Sequence, residues 1–340
     1  MNSPLVSVVM SVYNTPEEFL RESVASILNQ THKNLEFLIV DDCSKPATQN
    51  VLRELALKDR RIRILTNLEN LGLTKSLNRA IDQAKGDYVA RMDADDVSAD
   101  NRFEEQIKYL ERKPEIDVLG TEYYLLKGGK RVRPRKRPNQ PWQIQGRLLF
   151  GCQGILHPSV MFRAELFKKR GVRYDGKFRI AQDFELWSRI GLKYNIYVLP
   201  QYLVDYRISD AQVSVAKRDQ QIKYRNRVLF NALRALGVEP TKEERVLHVQ
   251  FCHGKAAQSV DAIAAWAERL LEANEKRRLY HPVSFEYYVR KREFDAAFHT
   301  SIKTAPSVKN YANVGQIAIQ AAKATRKFQK LAAAKKKDYE

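Results

Sequence analysis

Residues 88–92 constrain the fold of this chain more than any other stretch. A short β-branched and aromatic run is bounded by Gly86-Asp87 before it and by Asp93, Asp95 and Asp96 after it, which is the pattern of a buried strand ending in an acidic turn. Such a strand delivers three carboxylates to its C-terminal edge, where open α/β sheets bind their ligands. Carboxylates one residue apart can hold a hard divalent cation through oxygen, with a phosphate as its partner. The structural alternative is that they solvate the turn and cap the next helix, a part that Asp100 or Asn101 also fits.

The preceding residues repeat the theme. Residues 5–12 form a continuous apolar run, the signature of a parallel strand covered on both faces. Tyr13-Asn14-Thr15-Pro16 ends it, and Thr15 is expected to cap a helix with Pro16 at its first position and Glu17 and Glu18 in its first turn. Strands at 35–40, ending in Asp41-Asp42-Cys43-Ser44, and at 62–65 are each followed by a helical pattern. Four strand-then-helix units predict an α/β fold with a mostly parallel sheet flanked by helices and a site on its carboxyl edge. Beyond a helix at 102–112, strands are expected at 118–126, 155–162, 197–199 and 203–208, and a helix opens at Gln182. From about Ala216 the pattern is wholly helical, so the expected organisation is a catalytic domain over 1–215 and a helical C-terminal region over 216–340.

A formal net charge of +19 points to an anionic partner: nucleic acid, an anionic membrane face or a phosphorylated substrate. One basic cluster, with Lys130, Arg131, Arg133, Arg135 and Lys136, sits in a loop punctuated by Gly and Pro. A second fills the tail, where Val314, Ile317, Ala321, Ala324, Phe328 and Leu331 recur on one helical face and Lys323, Arg326, Lys327 and Lys330 lie mostly elsewhere. That basic amphipathic helix either lies on an anionic membrane surface or packs its apolar stripe against the protein. Cys43, Cys152 and Cys252 are three and far apart, which supports neither a disulfide framework nor a zinc site. The N-terminus shows no basic leader and no run long enough to cross a bilayer, so a cytoplasmic protein, peripheral on the inner membrane face if the tail binds lipid, is expected.

Taken together, Val6-Ser7-Val8-Val9-Met10-Ser11-Val12-Tyr13-Asn14, Ser26-Ile27-Leu28-Asn29-Gln30-Thr31, Val40-Asp41-Asp42-Cys43-Ser44, Asn70-Leu71-Gly72 and Arg91-Met92-Asp93-Ala94-Asp95-Asp96 resemble the family 2 inverting glycosyltransferases over roughly the first two-thirds of the chain. The resemblance implies a GT-A (Rossmann-like) fold, a nucleotide-sugar donor, usually UDP-linked, and a divalent cation, Mn²⁺ or Mg²⁺. It makes Ser11 and Tyr13 donor-pocket residues and Asp42 the carboxylate that accepts from the uracil N–H; Gly72 matches a close backbone approach to the base. Asp41 fits a capping turn. Asp95 matches the metal ligand, supported by Asp93 and Asp96, while Asp93 faces the ribose or sugar. Arg91 either approaches the sugar, steadies the carboxylates or forms a structural salt bridge.

The resemblance also implies an acidic base opening a late helix, and Gln182-Asp183 stands there, making Asp183 the candidate catalytic base; its structural alternative is a carboxylate answering the helix dipole. His157, in His-Pro-Ser, matches a position near the acceptor pocket, and Trp187 either stacks on an acceptor sugar or fills the core. Where many relatives carry a metal-binding histidine after a Tyr-Arg pair, Tyr206-Arg207-Ile208 is followed by Ser209. The expected activity is transfer of a sugar from a UDP donor to a glycan or lipid-linked saccharide in cell-surface polysaccharide synthesis. A nucleotidyltransferase lacks its glycine-rich phosphate loop here, and a nucleic-acid binder lacks a recognisable module, so no nucleic-acid partner is expected. A binding protein without turnover is the remaining rival.

Overall fold

The computed structural model describes residues 3–134, 138–151, 155–208, 218–303 and 308–335. Arg135 and Lys136 of the basic loop, Cys152, Ser209, the expected boundary at 215/216 and the last five residues of the tail lie outside the described residues.

The sheet begins as its apolar runs predict. Strand β1 (Val6–Val12) pairs in parallel with β2 (Leu35–Asp41) and β4 (Tyr88–Arg91), and β2 with β3 (Ile62–Thr66). Helices α1 (Glu17–Leu28), α2 (Pro46–Lys58) and α3 (Leu73–Asp82) connect them. Burial on both faces explains the absence of alternation in β1 and β2, whose residues are almost all buried. Thr15 does not cap α1. Pro16, in an extended conformation, takes the cap position itself without a side-chain hydrogen bond, leaving Glu17 and Glu18 to answer the dipole.

Past β4 the sheet turns mixed. The order is β3-β2-β1-β4-β8-β6-β9-β5, where β5 is Val97–Ser98, β6 Val118–Lys127, β8 Met161–Arg163 and β9 Ile196–Arg207; β7 (Lys130–Val132) pairs with β6 off this path. Strand β8 lies antiparallel between β4 and β6, β6 runs parallel to β9, and β5 is antiparallel to β9. Helix α4 (Arg102–Arg112) follows β5, and α6 (Glu165–Lys168) and α7 (Gln182–Ile190) separate β8 from β9.

Two strand expectations change. The strand expected over 155–162 shrinks to β8, because Pro158 has no amide to donate and His157–Ser159 forms a 3₁₀ turn that positions Ser159 Oγ to accept from Thr121 N at 3.1 Å. The two strands expected at 197–199 and 203–208 are one. β9 carries Pro200 through an irregularity where its register with β6 shifts around Glu122, the setting in which a sheet tolerates proline.

The chain divides into two compact units. The first gathers described residues within 1–139, 154–186 and 193–221, and the second those within 140–153, 187–192 and 222–340. The second unit includes α5 (Pro141–Arg147) and the helices α8 (Arg218–Ala235, from residue 222 on), α9 (Lys242–Cys252), α10 (Val260–Arg277), α11 (Pro282–Lys303) and α12 (Val308–Lys335). The apolar stripe of α12 is covered within that unit. Ile317 and Ala324 are buried, and the Phe328 ring stacks on Tyr287 at 4.1 Å and lies 4.9 Å from Trp142. Lys323, Arg326 and Lys330 face outward. No described helix is long and apolar enough to cross a membrane.

Candidate active site

The first unit concentrates its charge where β4 ends. Arg91 and Met92 are still held by the sheet, donating to Val160 O and Val9 O, so the three aspartates that follow leave the strand from a fixed point. Ligand oxygens of Asp93, Asp95 and Asp96 all lie within 4.8 Å of one another. Arg207, at the end of β9, braces the turn: its backbone N–H donates to Asp96 Oδ1 at 2.8 Å and its Nε to Asp95 O at 2.7 Å. Burial, then the Asp93 charge, pushes the Asp95 carboxyl up to about 6, and burial with both neighbouring aspartates raises Asp96 well above the usual range. Asp96 Oδ2 is buried without a hydrogen-bond partner. Clustered, under-neutralised oxygen donors with one orphaned buried oxygen fit a hard divalent cation.

Arg91 is the hub of this cluster. Its side chain is 2% exposed and ion-paired with Asp93, while Nε and Nη1 have no hydrogen-bond partner. Burial works against its charge, but Asp93, Tyr174 and Asp96 hold the guanidinium protonated. Below it Arg102 is also buried, donating to Arg91 O and Val160 O, and burial followed by Arg91 repulsion brings it down to about 9.

Asp183 belongs to the same electrostatic neighbourhood. It opens α7 after Ala181, whose φ of 58° turns the chain into the helix, and Phe184 N donates to its Oδ1 at 2.8 Å. Burial raises its carboxyl; the Arg91 charge opposes that rise and Asp93 adds to it. Tyr174, missed in the sequence, pairs with His157: its hydroxyl lies 2.6 Å from His157 Nε2, and the charges of Arg91, Asp183 and Asp93 all act on it. His157 is itself buried and kept neutral by that burial and by Arg91, so it reaches the site through Tyr174. Tyr206, also missed, feels all three aspartates and has its hydroxyl pKa raised, chiefly by burial. Of the two alternatives for Trp187, the structure places it in the core. Its ring is 1% exposed, so it fills the core and offers no face to a sugar.

A second group surrounds Asp42, at the end of β2. Asp42 Oδ1 accepts from Asn67 Nδ2 at 2.7 Å and Leu71 N at 2.8 Å, and Oδ2 accepts from Gly72 N at 2.9 Å. Asn67 is fixed in turn by Ser76 and Arg79. The carboxylate is thus preorganised, with acceptor capacity left on Oδ2. Gly72, at φ 82° and ψ 160°, adopts a backbone open essentially to glycine alone, and the exposed Arg179 side chain passes within 4.0 Å of where a Cβ would stand. Asp41 turns inward to accept from Ser44 N at 2.9 Å, the local turn expected of it. Ser11 is half-buried on β1 and Tyr13 is 55% exposed just beyond that strand. No single-residue signal marks Asn67, Arg79, Tyr174 or Arg179; all reach the site through contacts between segments distant in sequence.

Residues 7–171 match the family model for glycosyl transferase family 2. The chain is 35% identical over 227 residues to an uncharacterised glycosyltransferase of Methanocaldococcus jannaschii, covering 66% of this chain and 78% of that one. It is also 35% identical over 192 residues to the O-antigen biosynthesis glycosyltransferase WbnJ of Escherichia coli, covering 55% of this chain and 71% of the relative. The structure is similar to that of S. aureus TarS residues 1–349 in complex with UDP, with a TM-score of 0.56 at 18% identity over 88% of this chain and 91% of that one. The complex of the same protein with UDP-GlcNAc gives a TM-score of 0.57 at 17% identity, over 89% and 93% of the two chains. The chain belongs to glycosyl transferase family 2: it is a glycosyltransferase with a GT-A fold.

Proposed function

We propose that the protein transfers a sugar with inversion from a UDP-sugar to a glycan or lipid-linked saccharide in cell-surface polysaccharide synthesis. The observation that carries this reading is the convergence of Asp93, Asp95 and Asp96 within 4.8 Å at the end of β4, with Asp96 Oδ2 buried and unpartnered and Asp93 ion-paired to the buried Arg91. The TarS complexes with UDP and UDP-GlcNAc and the O-antigen role of the E. coli relative support the donor class and the pathway type.

Asp42 reads the uracil N–H through Oδ2, with Gly72 allowing the base close approach and Ser11 and Tyr13 lining the pocket. Asp95, with Asp93 and Asp96, would hold Mn²⁺ or Mg²⁺, which when bound offsets the charge of the donor diphosphate. Arg91 fixes Asp93 and opposes the rise that burial imposes on the Asp183 carboxyl. Asp183 takes the proton of the acceptor hydroxyl as that oxygen bonds to the anomeric carbon and the bond from that carbon to the UDP oxygen breaks. Tyr174 and His157, both held neutral by burial, pair with each other, and Tyr174 stands within the field of Asp183.

A panel of UDP-sugars with Mn²⁺, scored by UDP release, tests the reading. Asp183→Asn should retain donor affinity while turnover falls about 10²–10⁴-fold, the usual contribution of a general base. Asp95→Ala should lose cation-dependent donor binding. Unchanged turnover in Asp183→Asn refutes its role as base, and no release from any donor refutes the activity.

A further inference from the structure

The basic cluster noted in the sequence folds into a hairpin whose placement is specific. Gly128 and Gly129, at φ 53° and 76°, make a two-residue turn between β6 and β7, with Lys127 opposite Lys130. Every charged residue from Lys127 to Arg133 is basic. Protecting an edge strand requires only charge, whereas four cations of one sign around a tight turn select for an anion.

The hairpin is fixed to the strand that braces the aspartate cluster. Arg131 donates through Nε and Nη2 to Oδ2 of the buried Asp205 on β9, at 2.9 and 2.7 Å. The Arg133 guanidinium lies 5.0 Å from the Tyr202 ring centroid and 5.8 Å from that of Tyr124, and the two rings are 4.7 Å apart. Leu126 of β6 is paired with Arg207 of β9 on one side and Arg131 of β7 on the other, so the three share a row across the sheet. Two strand spacings of about 4.8 Å put Arg131 about 10 Å from Arg207, whose backbone N–H holds Asp96. Asp205 neutralises Arg131, but Lys127, Lys130 and Arg133 are exposed and make no ion pair among the described residues.

We infer that the β6–β7 hairpin is a docking wall for a phosphate-bearing acceptor, gripping an anionic group of the acceptor chain at a fixed distance along the sheet from the aspartate cluster. Two lysines and an arginine held over an aromatic pair suit a saccharide carrying phosphate, since a guanidinium and an ammonium together supply several donors to one phosphate. A bilayer is the weaker fit, because Val132, 51% exposed, is the one large apolar side chain the hairpin offers to lipid. This inference rests on the proposed glycosyl transfer, since it concerns that reaction's second substrate.

The test compares two triple variants that remove equal charge. One is Lys127→Gln, Lys130→Gln and Arg133→Gln; the control is Lys323→Gln, Arg326→Gln and Lys330→Gln on α12. Each is measured for UDP-sugar hydrolysis with water as acceptor, for transfer to a saccharide with and without a phosphate monoester, for calorimetric binding of inorganic tripolyphosphate, and for flotation with vesicles containing phosphatidylglycerol. The hairpin variant should raise KM for the phosphorylated acceptor and weaken tripolyphosphate binding about tenfold, as three exposed charge pairs of ordinary strength combine. Its kcat, its hydrolysis of donor and its use of the neutral saccharide should match the parent, and the control should match the parent in every assay except vesicle flotation, where the cations of α12 act themselves. Equal loss in both variants would show diffuse attraction and overturn the inference, as would a parent enzyme indifferent to the phosphate. Loss of vesicle binding alone would assign the hairpin to lipid and overturn it too. Absence of donor hydrolysis in the parent would refute the glycosyl-transfer reading instead, and the tripolyphosphate comparison would still judge the hairpin.

Discussion

Replacing Asp95 with Asn should stabilise the cation-free protein and abolish its response to cation. In the structure the Asp95 carboxyl is raised to about 6 from its ordinary 3.8, first by burial and then by Asp93. An acid whose folded pKa lies above its unfolded value contributes stability that is complete below the unfolded value and is lost as pH rises through the folded one. At pH 7.5 the ionised group therefore opposes folding by about 2–3 kcal/mol, taking about 1.36 kcal/mol for each unit of the shift. A divalent cation reverses that term, because it favours the charged form. Thermal unfolding should then show a Tm gain of a few degrees with saturating Mn²⁺ at pH 7.5, on the scale of roughly 2–4 °C per kcal/mol. The gain should shrink at pH 5, where Asp95 carries its proton. Asp95→Asn keeps the shape and removes the charge, so without cation its Tm at pH 7.5 should exceed the parent's, and Mn²⁺ should add little. The reasoning is refuted if the variant is less stable than the parent in chelator at pH 7.5, or if the parent's cation gain is the same at pH 5 and pH 7.5.

Other variants probe other parts of the site. Tyr174→Phe removes the hydroxyl that pairs with His157 Nε2 and should lower urea-unfolding stability by about 0.5–1.5 kcal/mol, the usual net contribution of one hydrogen bond. Gly72→Ala forces a side chain into a backbone conformation that disfavours it by roughly 1–3 kcal/mol, so calorimetric UDP affinity should fall while Asp183-dependent chemistry on bound donor persists. Cys43 is exposed beside Asp42, at φ 61°, and in a Cys152→Ser background its alkylation should slow when UDP is bound; an unchanged rate would place the nucleotide elsewhere. The outward lysines and arginine of α12 predict flotation with vesicles containing anionic lipid that weakens as salt is raised, each cation contributing about 1 kcal/mol near such a surface; no flotation at low salt would remove the membrane from the proposal.

The first half of the sheet was legible because its information is local. A parallel strand buried on both faces reads as an unbroken apolar run, and β1, β2 and β4 announce themselves within five to eight residues each. Strand β8 does not, since three residues between a proline turn and α6 are too few for periodicity to register. β9 reads as two strands because Pro200 looks like a terminator until its partner β6 shows an irregularity beside it. The placement of residues 140–151 with the second unit was equally hidden. Ser284 Oγ donates to Gln143 O at 3.4 Å, and a Cβ on Gly146 would stand 2.1 Å from that same oxygen, so α5 meets a partner about 140 residues later in the chain.

The site divides along the same line, and the division explains what a motif can say. Asp93, Asp95 and Asp96 are neighbours in sequence, so one strand end brings them together whatever the rest of the fold does. Whether those carboxylates repel, pair or bind depends on charges that arrive from afar. Arg207 enters from β9, 111 residues after Asp96, and Tyr174 and Asp183 enter on a segment tied to α3 by Thr74 Oγ1 to Phe178 O at 2.6 Å and Asn78 Nδ2 to Tyr174 O at 2.8 Å. That anchoring links the segment to the Asp42 group, because α3 is capped by Gly72, whose amide donates to Asp42. The Asp42 group and the segment carrying Asp183 thus share one helix. Under the proposed function a shift of α3 would move Asp42 and Asp183 together, so variants in Thr74 or Asn78 should change donor affinity and turnover in concert, whereas the hairpin, attached through β6 and β9, should leave both untouched.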